Sequence, residues 1–269
     1  MKNILLLAHD DEGQEARLQV ALDVTRAVEG HLTCLDVVVP PAALTYDSYS
    51  GAVAAELMAD EQLRETANCS RLEARLAHEN VSWDLKEAVG FPGESVEAAA
   101  GLADLIVLSS PFGHGQPSEL RRLVGQVAGR ARRPILAVPK DAGGLDLSGT
   151  VLVAWDGSSE ADAALRDAVP LLKLSGNVIL LDVEETEGAF AATSAAKYLS
   201  RHDIHPRIEI ARPDVDGMIY AALLEKAHEV EATYIVMGAF GHSPAVETLF
   251  GGVTRSMLAH SDLPLFLAH

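Results

Sequence analysis

Short, nearly unbroken apolar runs alternate along this chain with longer stretches whose apolar residues recur at helical spacing. Ile4–Ala8, Ile106–Leu108 and Val151–Trp155 are of the first kind and suit strands buried on both faces of a sheet. Glu15–Glu29, Ala54–Glu79, Ala161–Leu174 and Met218–Val230 are of the second kind and predict amphipathic helices. Ser159-Glu160-Ala161-Asp162 has the form of a capping box, which predicts a helix start directly after the strand Val151–Trp155. Strands alternating with helices imply right-handed crossovers and a parallel, doubly wound α/β sheet.

The pattern occurs twice. Leu5-Leu6-Leu7-Ala8-His9-Asp10 aligns with Val151-Leu152-Val153-Ala154-Trp155-Asp156, and the same register carries Gly30–Val37 onto Gly176–Val183. Ala103–Val107 matches Ala232–Val236, and each half ends on a proline-led apolar run, Pro134–Val138 and Pro264–Ala268. Matched segments in the same order identify an internal repeat. The expected division is a domain over residues 1–139 and a second over 150–269, each with a five-stranded parallel sheet. Pro139–Gly149, rich in Gly, Asp and Lys, is the expected linker.

Charge narrows the partners. The 39 Asp and Glu outnumber the 21 Lys and Arg, for a net charge of −18, so neither nucleic acid nor an anionic membrane is an expected partner. A phosphate ligand would have to be held by backbone N–H groups and helix ends rather than by the overall field. Cys34 and Cys69 show no metal or redox spacing and are expected to be ordinary thiols. With no leader-like or membrane-spanning apolar run, a cytoplasmic location is expected.

The candidate chemistry lies near the end of the chain. Gly238-Ala239-Phe240-Gly241 follows the strand Tyr234–Met237, nine residues intervene, and Gly251-Gly252-Val253-Thr254 leads into a helix. Glycines at the carboxyl end of a strand let the backbone approach a ligand, and a helix start adds N–H donors for phosphate. Tight turns account for such glycines equally well, and the spacing is neither Walker A nor G-x-G-x-x-G. His202 and His205 flank Asp203 without a further metal ligand. His242, Ser243 and Glu247 lack a nucleophile elbow. Trp83 and Trp155 are expected to pack at strand ends.

The Gly-x-x-Gly, nine residues, Gly arrangement resembles the nucleotide motif of the ATP-binding universal stress proteins. The Val151–Ser158 opening and the Leu181-Asp182-Val183 strand are similar to that family too. The resemblance implies two tandem Rossmann-like domains paired as an intramolecular pseudo-dimer, with the last strands, Ile135–Val138 and Leu265–Ala268, side by side. Further homodimerisation and an unknown protein partner are left open. It also implies a non-catalytic stress-response regulator that binds ATP or another adenine nucleotide, with or without Mg²⁺. Its site would comprise Ala154, Asp156, Val183, Gly238, Gly241, Gly251, Gly252, Val253 and Thr254. Gly252 stands where the family motif has Ser or Thr, so weakened binding is expected. The first half departs further, with Ser109-Ser110-Pro111-Phe112-Gly113-His114 in place of the glycine loop and Asp11-Glu12 in place of Gly157-Ser158, and is expected to bind no nucleotide. Arg121 and Arg122 are read as a solvated helix face. The alternatives are a slow ATPase using Asp156 with a divalent metal, and a nucleotide-free interaction scaffold.

Overall fold

A computed structural model describes residues 1–40, 51–110, 118–183, 192–211, 218–239 and 252–269. The strands are β1 (Asn3–Leu7), β2 (His31–Val38), β3 (Ser82–Val89), β4 (Leu105–Ser109), β5 (Ile135–Val138), β6 (Thr150–Trp155), β7 (Asn177–Val183), β8 (Arg207–Ala211), β9 (Ala232–Gly238) and β10 (Leu265–Ala268). The helices are α1 (Gln14–Ala27), α2 (Gly51–Leu76), α3 (Pro92–Ala99), α4 (Ser118–Ala131), α5 (Ser159–Leu172), α6 (Thr193–Ser200), α7 (Ile219–Glu229) and α8 (Val253–His260).

One 10-stranded sheet runs in the order β3-β2-β1-β4-β5-β10-β9-β6-β7-β8. Within each half the strands are parallel and the order is the same, reversing direction between β1 and β4 and again between β6 and β9. These reversals are the switch points at which an open α/β sheet leaves a crevice beyond its strand ends. The halves meet where β5 pairs antiparallel with β10, Leu136 opposite Phe266. This pairing covers two edges that would otherwise carry open backbone groups. The remaining edges, β3 and β8, carry Lys86, Glu87, Arg207 and Glu209, which discourage further strand addition.

Alternation along the strands divides the core into two layers. Ile4, Leu6, Val107, Val151 and Val153 face α1, α2, α5 and α6. Leu5, Leu7, Ile106, Leu152 and Ile235 face α3, α4, α7 and α8. Both layers are continuous across the two halves. The segment 139–149 is docked rather than loose: Leu145 and Leu147 are buried, and Leu145 N–H donates to Asp23 of α1 at 2.9 Å.

The start of α5 corrects the expected capping box. Ser158, not Ser159, is the N-cap, and its Oγ accepts from Ala161 N–H at 3.1 Å. The Asp156 carboxylate accepts from both the Ser158 N–H at 2.9 Å and the Ser158 hydroxyl at 2.6 Å. Gly157 between them lies at φ +76, a left-handed turn that suits glycine. The Asx turn delivers the chain into the helix one residue early, leaving Ser159 as its first residue.

Candidate functional site

In the second half, β6 and β9 are adjacent and parallel, so Asp156 and Gly238 leave the sheet at the same, carboxyl, end. Ala154 is half-buried near the end of β6, and Asp156 is exposed just beyond it. Gly238 has a packing reason to lack a side chain. A Cβ there would lie 2.6 Å from Ala161 N and 2.7 Å from the Glu160 carbonyl carbon, because the first turn of α5 rests on it. Gly252 is the N-cap of α8, in extended geometry (φ −53, ψ 145), and a Cβ on it would meet nothing within 4 Å. Among the described residues no side chain caps this helix. Its carbonyl accepts from Arg255 and Ser256, while Val253 and Thr254, both half-buried, carry the first-turn N–H groups. Val183 ends β7 opposite Ala211. Gly241 and Gly251 lie outside the described residues, as do His242, Ser243 and Glu247. The side chains of Val183, Arg121 and Arg122 also lie outside them.

This is a parallel-sheet half with a glycine ending a strand at the switch point and, among the described residues, a helix start without a side-chain cap. Residues 148–269 match the profile of the Universal stress protein family. The second half is a universal stress protein domain.

Solved structures extend the likeness in fold to the whole chain. A universal stress protein from Archaeoglobus fulgidus DSM 4304 superposes with a TM-score of 0.76 at 20% identity, over 98% of this chain and 95% of that one. A functionally unknown protein from Pseudomonas aeruginosa PAO1 superposes with a TM-score of 0.61 at 14% identity, over 100% of this chain and 92% of that one. No curated protein matches the chain significantly in sequence.

Beside this universal stress domain, the first half shows the same strand order with its switch point filled. Arg17, on α1, is buried at the ends of β1 and β4. Its Nε donates to Leu7 O at 3.0 Å, one terminal nitrogen to His9 O at 2.9 Å, and the other to the Asp11 carboxylate at 2.8 and 3.0 Å and to the Ser109 hydroxyl. Asp11, expected only to repel a phosphate, is thus the partner of a buried guanidinium. Ser109 stands where Gly238 stands in the other half.

The neighbouring crevice, over β1 and β2, is closed by α2. Glu65 and Asn68 are fully buried there. Asn68 Nδ2 donates to Ala8 O at 2.8 Å, and Glu65 accepts from Asp10 N–H at 3.3 Å. Asp36 of β2 is buried with them. Burial, then the Glu65 carboxylate, pushes Asp36 up to about 7. Burial works to raise Glu65 as well, but His9, paired with it at 2.8 Å, and Asp36 hold it below the usual range. For His9, burial acts to lower the pKa, yet Glu65 and Asp11 hold it above its ordinary value. The group therefore shares its protons, with Asp36 the better acid-form donor and Glu65 the carboxylate.

Sequence reasoning missed His9, Arg17, Asp36, Glu61, Glu65 and Asn68. Two signals were present: an Asp inside the apolar strand Leu32–Val38, and Glu61 and Glu65 four apart on one helix face. Cys34 and Cys69 are both free and buried, and burial pushes both thiols up to about 12. His202 makes a ring contact with Tyr198, and the pair with His205 forms no metal cluster among the described residues.

Proposed function

We propose that the protein is a non-catalytic regulator that binds one adenine nucleotide per chain, in the second of two domains spanning residues 1–139 and 150–269. The supporting observation is the contrast between the two switch points. In the universal stress domain the strand ends lead to Asp156 and Gly238, and the α8 helix start has no side-chain cap among the described residues. In the first half the strand ends are occupied by buried side chains that bond to one another and to the strand-end carbonyls. Ala154, Asp156 and Val183 would flank the base and ribose, and Gly238, Gly241, Gly251, Gly252, Val253 and Thr254 would hold ribose and phosphates through backbone N–H groups. Asp156 already holds Ser158 through one carboxylate oxygen, which leaves the other for a ribose hydroxyl or an accompanying Mg²⁺. ATP or a related adenine nucleotide is the ligand class, and the two halves act as a pseudo-dimer. Among the described residues nothing at the site supplies a general base or a cationic clamp for phosphoryl transfer, and the expected output is a bound state rather than turnover.

Calorimetric titration of the full chain with Mg·ATP tests this. One site per chain, weakened at least tenfold by Asp156→Ala and indifferent to Asp10→Ala, is expected. Two equivalent sites, or a single site lost in Asp10→Ala but kept in Asp156→Ala, would place the site in the wrong half.

A further inference from the structure

The filled crevice of the first half holds a set of donor atoms that the nucleotide reading does not use. His9 lies just beyond β1. Glu61 and Glu65 lie four apart on α2, so both carboxylates sit on the face that covers the strand end. One ligand atom from each of the three falls within 4.8 Å of the other two. His9 Nδ1 is 2.8 Å from Glu65 Oε1, and the two side chains are 5% and 0% exposed. Nδ1 nevertheless makes no hydrogen bond among the described residues, and that carboxylate oxygen is its close partner as an ion pair. Buried polar atoms are rarely left in this state.

Arg64 shows which charge the site accepts. Its guanidinium lies 2.8 Å from Glu61 Oε2 and 3.3 Å from Glu65 Oε1, bridging the same two carboxylates, and its side chain is 45% exposed. It is a cation on a long, solvent-facing stem that can withdraw without leaving a charge buried.

We propose that His9, Glu61 and Glu65 form a binding site for a divalent transition-metal ion, with Arg64 as the cation that occupies the carboxylates when the metal is absent. One imidazole nitrogen with two carboxylates suits Zn²⁺ or Mn²⁺ better than Mg²⁺ or Ca²⁺, which favour oxygen alone. Zn²⁺ bonds of about 2.0–2.2 Å set ligand atoms roughly 3.3 Å apart, so the three side chains need only small rotamer shifts. The ion would give Nδ1 a ligand bond and neutralise the buried Glu65 and the partly buried Glu61, which Arg64 now bridges. Asn68 and Asp36, hydrogen-bonded around Glu65, would fix its orientation from behind. The site is separate from the nucleotide proposal and stands or falls without it.

The test is titration of the chelator-treated full chain with zinc chloride, followed by calorimetry and thermal melting. One site per chain of micromolar affinity or tighter, with a raised melting temperature, is expected. His9→Gln and Glu61→Gln should each weaken it at least tenfold. Arg64→Gln should strengthen it several-fold, a response that a purely structural ion pair would not produce. Glu61→Gln lies toward the outside of the cluster, so it keeps the test decisive if His9→Gln fails to fold. Zinc binding that is unchanged in Glu61→Gln, that falls in Arg64→Gln, or that is no tighter than about 100 μM in the parent overturns the proposal.

Discussion

Gly238→Ala separates two reasons for a glycine at this point, packing and ligand approach. The added Cβ would sit 2.6 Å from Ala161 N, 2.7 Å from the Glu160 carbonyl carbon and 2.9 Å from Glu160 Cβ. Carbon contacts prefer about 3.5–4.0 Å, so β9 and the first turn of α5 must separate by roughly an ångström. Two of the three atoms are backbone, which cannot rotate away as a side chain can. Overpacking of this kind costs about 1–3 kcal/mol. The lower chain entropy of unfolded Ala returns about 0.4–1 kcal/mol, since the native φ at Gly238 is not in the left-handed region. A net loss of about 0–2.6 kcal/mol, centred on about 1.3 kcal/mol, is expected.

Urea unfolding followed by circular dichroism measures that loss, with an unchanged slope as the check that the denatured state is the same. Gly252→Ala is the control, because its Cβ meets nothing within 4 Å and the backbone there is already extended. It should change stability by less than about 0.5 kcal/mol. Moving the α5 start also displaces the Asp156–Ser158 turn, so nucleotide affinity should fall in Gly238→Ala. If Gly238→Ala is as stable as the parent, α5 does not rest on β9 as described, and the argument from packing fails.

Three further outcomes follow from named contacts. Arg17→Met strips the partner from Asp11 and two strand-end carbonyls, and should cost about 3–5 kcal/mol, with Asp11→Asn in the same chain recovering part of it; a loss under about 1 kcal/mol would show that the network is not buried as described. Partial burial works against ionisation of Asp104, but N–H groups of Lys2 and Asn3 hold its pKa below 3.8. Its stabilisation is therefore present above the unfolded value and lost as pH falls through the lower folded one, so Asp104→Asn should cost about 1 kcal/mol at pH 7 and nothing at pH 2 in urea melts; an equal loss at both values would contradict the assignment. Gly252→Ser supplies a hydroxyl at the α8 N-cap, and one added hydrogen bond should tighten ATP about two- to tenfold by calorimetry; unchanged or weaker binding would mean that the phosphates do not reach this helix.

The strands were legible because each central one is buried on both faces and so carries an unbroken apolar run, and the repeat was legible because those runs recur in register. The pairing of β5 with β10 came from the family resemblance rather than from any local pattern. Ser158 and Ser159 are indistinguishable by composition, and what chooses Ser158 is the carboxylate of Asp156 two residues earlier. Gly238 looked like a ligand glycine, but its nearest constraint is Glu160–Ala161, about eighty residues upstream. The polar residues of α2 were hardest. Glu65 and Asn68 are types that normally face water, and their burial depends on Ala8, His9 and Asp36, which only the fold brings to them.

The inertness expected of the first half rests on what is present there more than on the missing glycines. A ligand entering between β1 and β2 would have to displace Glu65 from the Asp10 N–H and Asn68 from the Ala8 carbonyl. Those groups are tethered competitors, at an effective concentration that free nucleotide in solution does not easily exceed. Displacement would also expel a carboxylate that shares its proton with Asp36, leaving buried polar atoms without partners at about 1–3 kcal/mol each. Restoring glycines to the first half would therefore not restore binding. Removing the plug with Glu65→Ala and Asn68→Ala would open the crevice but leave Ser109 where Gly238 stands in the other half. A nucleotide site there would need both changes, so the two copies keep one strand order while the first fills its strand ends with buried side chains.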